Sequence, residues 1–345
     1  MHMSDALLSP EVGAAFCAAT AGVIAYSSYK LRSSTEDKLV PLMGVLGAFV
    51  FALQMINFSI PLTGSSGHFG GGLLLAILLG RHAGVITIAS VLLVQALFFA
   101  DGGILALGAN VWNMGVYSCF IAYPVYKFIT SSVNSPKKLF FASVAASVAG
   151  LQFGAFSVVL QTALSGRTEL PFGLFAMFMQ PIHLVIGIVE GVITAGIINY
   201  VKKERPELLT LTSSNSGSYS LKKISIAFLL AAIITGGIVS WFASENPDGL
   251  EWSISKVTGK PGFSYEVNST IHSLTKVLHE RKTAIFPDYN FITQKSANAE
   301  ANQETVHPFK GISAGKSISG IIGSVMVLGM VAALSFGIKT IKKRY

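Results

Sequence analysis

Two histidines have a sequence context that suits transition-metal binding. His2 follows the first residue, so the α-amine of Met1, the deprotonated amide nitrogen of His2 and its imidazole can supply three nitrogen ligands in one plane. His68 lies in the glycine-dense run LTGSSGHFGGG, where backbones approach closely, and can supply a fourth nitrogen. Four planar nitrogens favour Ni(II), Cu(II) or low-spin Co(II) over Zn(II) and Mg(II). The alternative is that His2 is an accident of initiation and His68 an incidental loop residue.

A second group of polar residues lies in or beside apolar stretches. Polar side chains at membrane depth face the interior of a helix bundle, where they either link helices or line a substrate path. For the uncharged amides the linking role is favoured, whereas a buried carboxylate is costly unless it has a use. The candidates for residues that surround the metal site or form a pathway are Gln95, Asp101, Asn110, Asn113, His183 and Glu190.

Other chemistries have no matching motif in the sequence. The two cysteines, Cys17 and Cys119, both lie in apolar stretches and offer neither a disulfide framework nor a paired-cysteine zinc site. There is no GxxxxGK[ST] phosphate loop, no nucleophile elbow and no HExxH motif. We therefore expect no catalytic residues, no catalytic cofactor and no ATP hydrolysis by this chain.

The elements that must position the histidines are membrane helices. Of 345 residues 51% are apolar and 12% are charged, about half the charged fraction of a soluble domain, and the mean hydropathy is +0.59. This composition predicts an all-α polytopic membrane protein in a lipid bilayer and argues against a nucleic-acid partner, despite a net charge of +8. Spans are predicted at residues 11–30, 40–60, 69–80, 82–100, 104–127, 138–164, 173–200, 222–242 and 318–338. The third is too short to cross a bilayer straight and is expected to bend at Gly80-Arg81-His82 into the fourth.

Basic residues predict how these spans are oriented. If the amino terminus lies outside, all Lys and Arg outside residues 243–317 fall in cytoplasmic loops except Arg167, so the carboxyl terminus is expected inside. The opening MHMSDALLSPEVG lacks the basic region of a cleavable signal peptide, so the mature chain is expected to begin at or next to Met1. A Ser-rich cytoplasmic linker, residues 202–221, separates a seven-span core, residues 1–201, from an appendage, residues 222–345, whose two spans flank an outer loop, residues 243–317.

Three segments resemble a known family. They are MHMSDALLSPEVG, SGHFGGGLLLAILLGRHAG and LLVQALFFADGGILALGANVWNMG, and they are similar to the M-type membrane component of cobalt and nickel energy-coupling-factor (ECF) importers, CbiM/NikM, over about the first 200 residues. The segment SENPDGLEW with its flanking spans is similar to the small N-type component, the PDGLE domain, here as a fusion. Arg81-His82 stand where the family is expected to have Pro and an aromatic residue.

The resemblance implies both a fold and a function. It implies a seven-helix core like the substrate-binding component of ECF importers, in which Met1, His2 and His68 hold Ni(II) or Co(II) as transported substrate in a square-planar four-nitrogen site on the outer face. It implies a transmembrane coupling protein of the CbiQ/NikQ type and ATP-binding subunits of the CbiO/NikO type as partners, in a bacterial or archaeal cytoplasmic membrane. It also implies that the appendage gates metal loading.

Several alternatives stay open at this point. The chain could instead be a transporter component for an organic substrate, using the Asn and Gln side chains, or a membrane sensor or scaffold without metal transport. The Ala-rich face of the first helix packs either within this chain or on a separate membrane subunit. In the outer loop a Pro-Asp-Gly turn precedes Trp252, a candidate interfacial anchor, whereas QKSANAEANQETV is expected to be flexible and His272 and His279 to be solvated.

Overall fold

A computed structural model describes residues 1–34, 39–131, 135–204, 222–259, 284–290 and 313–342. Over these residues the structure is a bundle of apolar helices with one small hairpin. The helices are α1 (Pro10–Ser34), α2 (Leu39–Gln54), α3 (Gly72–Leu79), α4 (Arg81–Val94), α5 (Leu107–Val111), α6 (Tyr123–Thr130), α7 (Pro136–Ser165), α8 (Phe172–Glu204), α9 (Lys222–Gly237), α10 (Gly249–Thr258) and α11 (Ala314–Lys342). The strands β1 (Phe58–Ile60) and β2 (Ser65–Gly67) pair antiparallel, with Phe58 opposite Gly67.

The long helices identify the chain as a multi-pass membrane protein. Five described helices are long and apolar enough to cross a bilayer, at Pro10–Leu31, Arg81–Phe99, Pro136–Ser165, Phe172–Glu204 and Ala314–Leu334. Large apolar side chains such as Phe141, Met177 and Val325 are exposed on their surfaces, as expected of helices that face lipid. The predicted helical membrane class is thereby confirmed, whereas the count of seven spans in the core stays a prediction.

The predicted spans differ from the observed helices in three places. The helix expected over residues 40–60 ends at Gln54, and the β1–β2 hairpin follows, because Pro61 cannot donate a backbone hydrogen bond and Leu62 and Gly64 adopt positive φ values of 67° and 73°. The predicted helical span is therefore wrong over residues 58–60, which form β1. The span 104–127 contains two π-helical turns, Trp112–Val116 and Ser118–Ala122, between α5 and α6. In the predicted span 222–242, the α-helix ends at Gly237.

The predicted bend between the third and fourth spans is present. Gly80 separates α3 from α4 with φ of 82°, a left-handed value that favours glycine. A π-helical turn, Gln95–Phe99, extends α4. Helix α4 is therefore long enough to reach the far end of the bundle, where Asp101 lies.

Small residues allow the helices to pack closely. Helices α7 and α8 run side by side, and a side chain at Gly187 or Gly191 would collide with the backbone of Val148 or Val144. Helix α2 contacts both α9 and α11, and α10 lies against α8, so the segment after residue 222 packs directly on the first part of the chain.

Helix α1 packs through a face that is not the Ala-rich one. Gly13, Thr20 and Ser27 form the buried face of α1, against α4 and α5. The six alanines of the predicted face are exposed, namely Ala14, Ala15, Ala18, Ala19, Ala21 and Ala25. The alternative in which the Ala-rich face packs within this chain is therefore wrong for the described residues.

Candidate metal site

The first residues of the chain are threaded into one end of the bundle. The side chain amide of Asn110 accepts a hydrogen bond from Met3 N at 2.8 Å and donates one to Met3 O at 3.0 Å. Gly103 N also donates to Met3 O, at 2.9 Å. Met3, Leu7 and Leu8 are fully buried. Asn110 thus pairs with the backbone of Met3 as a neighbouring β-strand would, and this contact fixes the two residues that precede Met3.

Asn113, one helical turn after Asn110, also contacts Met3. Its amide forms a pair of hydrogen bonds with Gln161, at 2.8 and 3.0 Å, and its Nδ2 lies 3.6 Å from Met3 Sδ. Both amides are buried and mutually satisfied. Asn113 therefore links the π-helical turn after α5 to helix α7 through its side chain.

His68 is positioned by a buried carboxylate on α8. Glu190 Oε2 accepts a hydrogen bond from Gly70 N at 2.8 Å, and Oε1 accepts one from Gly71 N at 3.2 Å. Gln54 Nε2 donates to Gly70 O at 2.8 Å. A side chain at residue 70 would meet the Glu190 carboxylate, and Gly71 has φ of 81°, so this loop requires glycine at both positions.

The predicted ligands come together at this end of the bundle. The amine of Met1 lies 3.3 Å from His68 Nε2. The rings of His2 and His68 are stacked with centroids 4.9 Å apart and an interplanar angle of 23°. Met1 is buried with 8% of its surface exposed, and His2 Nε2 is buried without a hydrogen-bond partner among the described residues. The three predicted ligands therefore lie close together, although 67 positions separate Met1 from His68.

Two carboxylates flank the cluster. Asp248 Oδ2 lies 3.2 Å from the Met1 amine, and Asp101 Oδ1 lies 3.3 Å from His2 Nδ1. Asp101 follows Ala100, whose φ is 56°, and its side chain faces His2 rather than capping a helix. Both acids also line an open cavity of about 550 Å³, together with His2, His68 and Glu251.

The electrostatic environment keeps both imidazoles neutral. Burial lowers the pKa of His2 to about 3, with a further contribution from the Met1 ammonium. Burial, the same ammonium and His2 lower the pKa of His68 to about 3. Burial would raise the pKa of Asp248, but the Met1 ammonium and the hydrogen bond from Glu251 N hold it well below its usual range. Neutral imidazoles present the lone pairs that a metal ion requires.

Asp248 is noticeable in the sequence as part of a Pro-Asp-Gly turn, but it was not among the predicted site residues. It begins α10, where its Oδ1 accepts hydrogen bonds from Leu250 N at 2.9 Å and Glu251 N at 2.8 Å. The Pro-Asp-Gly sequence was expected to form only a turn. The turn is anchored to β2, since Ser66 N donates to Pro247 O at 2.8 Å. The signal that could have identified Asp248 is the PDGLE motif itself, a capping acid set before a helix.

Trp252 and Tyr289 also tie the later part of the chain to this end of the bundle. Trp252 Nε1 donates to Thr63 O at 2.9 Å, so its indole is bonded to the hairpin loop. Tyr289 Oη donates to Asp101 Oδ2 at 2.5 Å and accepts from Gln95 Nε2 at 3.1 Å. Gln95 therefore acts on the site through Tyr289 and Asp101. No sequence motif marked Tyr289.

His183 lies deeper in the bundle than the ligand cluster. Its Nδ1 is 2.8 Å from Met179 O, and its Nε2 has no hydrogen-bond partner within the described part of the chain. His183 and Glu190 lie on one buried face of α8, as their spacing predicted, but they have different surroundings.

His272, His279 and the run QKSANAEANQETV lie outside the described residues.

The arrangement differs from a site built from side chains alone. Among the described residues there is no group of three or more His, Cys, Asp or Glu side chains that could hold a metal ion. The candidate donors are instead two imidazoles and backbone nitrogens at the start of the chain.

Comparison with known proteins reveals clear similarity over both parts of the chain. Residues 2–208 match the family model of the cobalt uptake substrate-specific transmembrane region, CbiM, and residues 222–340 match that of the PDGLE domain. A protein of Archaeoglobus fulgidus named as a fused nickel transport protein, NikMN, is 32% identical over 97% of this chain and 98% of its own length. The fused nickel transport protein NikMN of Rhodobacter capsulatus is 34% identical over 61% of this chain and 64% of its own length.

Solved structures show the same relationship for the first part of the chain. The crystal structure of a transition metal transporter is 34% identical and covers 59% of this chain and 93% of that chain, with a TM-score of 0.52. A truncated transition metal transporter is 32% identical and covers 59% of this chain and 99% of that chain, also with a TM-score of 0.52.

Proposed function

Because this chain belongs to the CbiM family of cobalt uptake transmembrane proteins and continues into a PDGLE domain, we propose that it captures Ni(II) or Co(II) for import. The ion binds in a square-planar site formed by the Met1 amine, the deprotonated His2 amide, the His2 imidazole and His68. The observation that carries this proposal is the convergence of the Met1 amine with the two imidazoles.

The geometry supports a planar chelate. In such a chelate the amine, amide and imidazole of the first two residues occupy three consecutive corners, so the fourth corner lies between the amine and the His2 ring. His68 lies next to the amine and stacks on the His2 ring, which supports its assignment to that corner. Two nitrogens that are each about 2.0 Å from one ion at a right angle are about 2.8 Å apart. The observed 3.3 Å between the Met1 amine and His68 Nε2 requires only a small adjustment.

Charge balance is also favourable for a divalent ion. A divalent cation bound to one deprotonated amide keeps a net positive charge, which Asp101 and Asp248 offset. A metal-bound amine retains two N–H groups, so Asp248 can keep accepting from it. The His2 Nδ1 must turn from Asp101 to the ion for the chelate to close. Asp248 belongs to the PDGLE domain, which supports a role of that domain in metal loading.

The remaining features of the proposal follow the family. Residues 1–201 form the metal-binding core, residues 202–221 a cytoplasmic linker and residues 222–345 the PDGLE part. The site faces outward and the carboxyl terminus lies in the cytoplasm. A coupling protein of the CbiQ/NikQ type and ATP-binding subunits of the CbiO/NikO type drive release. The exposed Ala-rich face of α1 is available for such a membrane partner.

The amide contacts count against an organic substrate. Asn110 is paired with the Met3 backbone and Asn113 with Gln161, so the hydrogen-bonding groups of both amides are already engaged within the protein. Buried amides that satisfy one another are typical of helix linkage. These contacts favour the metal site over the alternative in which the same amides bind a transported molecule.

The deciding experiment measures metal content and visible absorption of the purified full chain after exposure to Ni(II), Co(II) or Zn(II). We expect one Ni(II) or Co(II) per chain with the spectrum of planar nitrogen coordination, and loss of this spectrum in His2→Ala and in His68→Ala. His82→Ala is the matched control, since His82 contacts Ser27 on α1 instead. Absence of bound metal in the wild-type chain would refute the proposal and favour a sensor or scaffold.

A further inference from the structure

His183 is a buried histidine with a defined tautomer. Only 1% of its surface is exposed, and Nδ1 lies 2.8 Å from Met179 O, one turn earlier in α8. A carbonyl oxygen can only accept, so Nδ1 carries the hydrogen and donates it. In a neutral imidazole the other nitrogen, Nε2, is then an acceptor. Nε2 is buried and has no partner among the described residues, although buried polar atoms are normally hydrogen-bonded.

A small cavity connects His183 with the ligand cluster. Its volume is about 20 Å³, and it is lined by Met1 and by the polar residues His68, Asn113, Ser118, His183 and Asp248. A single water molecule needs about 10 to 15 Å³ and two or more polar partners, and this cavity offers both. The Met1 ammonium has three hydrogens, and its contacts to Asp248 and His68 account for two of them.

We propose that His183 is a positioning residue for the Met1 amine and acts through one water molecule in this cavity. The third N–H of the amine donates to the water, and the water donates to His183 Nε2. Asp248 and the water then hold the amine from two sides and keep it next to His68. When the amine binds a metal ion it retains two hydrogens, one for Asp248 and one for the water. This inference rests on the proposed function only in taking the amine as a ligand.

Two substitutions distinguish the roles of the two ring nitrogens of His183. The side chain of Gln places its terminal amide at the position of Nε2, whereas Asn places its amide at the position of Nδ1. His183→Gln therefore keeps an acceptor in the cavity, and His183→Asn keeps the contact to Met179 O but leaves the cavity without one. His183→Phe removes both. Thr194→Val is the control, because it removes a buried hydroxyl of the same helix that has no partner within the described chain and does not line the cavity.

The experiment titrates Ni(II) into the purified full-length chain and records the dissociation constant, the visible spectrum and the melting temperature of the metal-free protein. We expect His183→Asn and His183→Phe to raise the dissociation constant about 3- to 10-fold, as the loss of one hydrogen bond predicts. His183→Gln and Thr194→Val should remain within about 2-fold of the wild type. The spectrum should be the same in all variants, because none removes a ligand.

Two outcomes would overturn the inference. Wild-type affinity in His183→Asn and His183→Phe would show that His183 does not position the amine. A changed spectrum in every His183 variant would show that the ion itself binds Nε2. A wild-type chain without planar Ni(II) coordination would instead refute the proposed function, so the two failures are distinguishable.

Discussion

Replacing Glu190 by Gln tests whether the His68 loop must be held in place before metal binds. The Glu190 carboxylate accepts two backbone hydrogen bonds, from Gly70 N and Gly71 N, and is fully buried. Gln at this position keeps one accepting oxygen but directs an NH₂ group at the other backbone N–H. One hydrogen bond to a charged acceptor, worth about 1.5 to 3 kcal/mol, is therefore lost.

The loss of this hydrogen bond should weaken the binding of Ni(II). In the wild type the loop is already ordered when the ion arrives, whereas in Glu190→Gln part of the binding free energy is used to order it. A change of 1.4 kcal/mol is about tenfold, so the dissociation constant for Ni(II) should rise about 10- to 100-fold if the whole loss is expressed in binding. The planar absorption spectrum at saturating Ni(II) should be unchanged, since His68 itself is present.

The assay is a Ni(II) titration of the purified full-length chain, with the melting temperature of the metal-free protein measured in parallel. Glu204→Gln is the matched control, because Glu204 is an exposed glutamate at the end of the same helix. Unaltered affinity in Glu190→Gln would contradict the view that this carboxylate positions His68.

Four further predictions follow from the same geometry. Asp248→Asn should weaken Ni(II) binding about 10- to 100-fold, as loss of a carboxylate beside a metal ligand usually does, measured by equilibrium titration. Two residues added before Met1 convert its amine into an amide, so the planar absorption spectrum should disappear. Ni(II) at about 100 times its dissociation constant should stabilise the wild-type chain by about 2.7 kcal/mol in thermal melting, and should not shift His68→Ala. Asn110→Ala removes two hydrogen bonds to Met3, so hydrogen exchange at the first residues should accelerate while the rest of the bundle remains protected.

The parts of the site that the sequence predicted are those that residues adjacent in the sequence already reveal. An imidazole directly after an amine, and a histidine among glycines, are patterns that one short segment displays by itself. The bend at Gly80 was predictable for the same reason. The membrane helices follow from hydropathy, although their ends at Gln54 and Gly237 are set by the hairpin and by packing.

The parts that the sequence did not predict depend on distant contacts. Asp248 approaches Met1 across 247 positions, and Tyr289 approaches Asp101 across 188. Nothing near Tyr289 indicates which carboxylate it contacts, since that is decided by how the loop lies on the end of α4. Glu190 was correctly placed on a buried face, but its role in holding two backbone amides required knowledge of the His68 loop.

The contact between Met1 and Asp248 cannot form until late in the synthesis of the chain. A ribosome adds about 5 to 20 residues per second, so roughly 10 to 50 seconds separate the synthesis of these two residues. From the synthesis of His68 until that of Asp248, the amine and both histidines exist without the carboxylate that pairs with the amine in the finished protein. We expect a nascent chain stalled before residue 248 to exchange Ni(II) faster than the completed one, so that retention of the ion begins only once the PDGLE motif has been added.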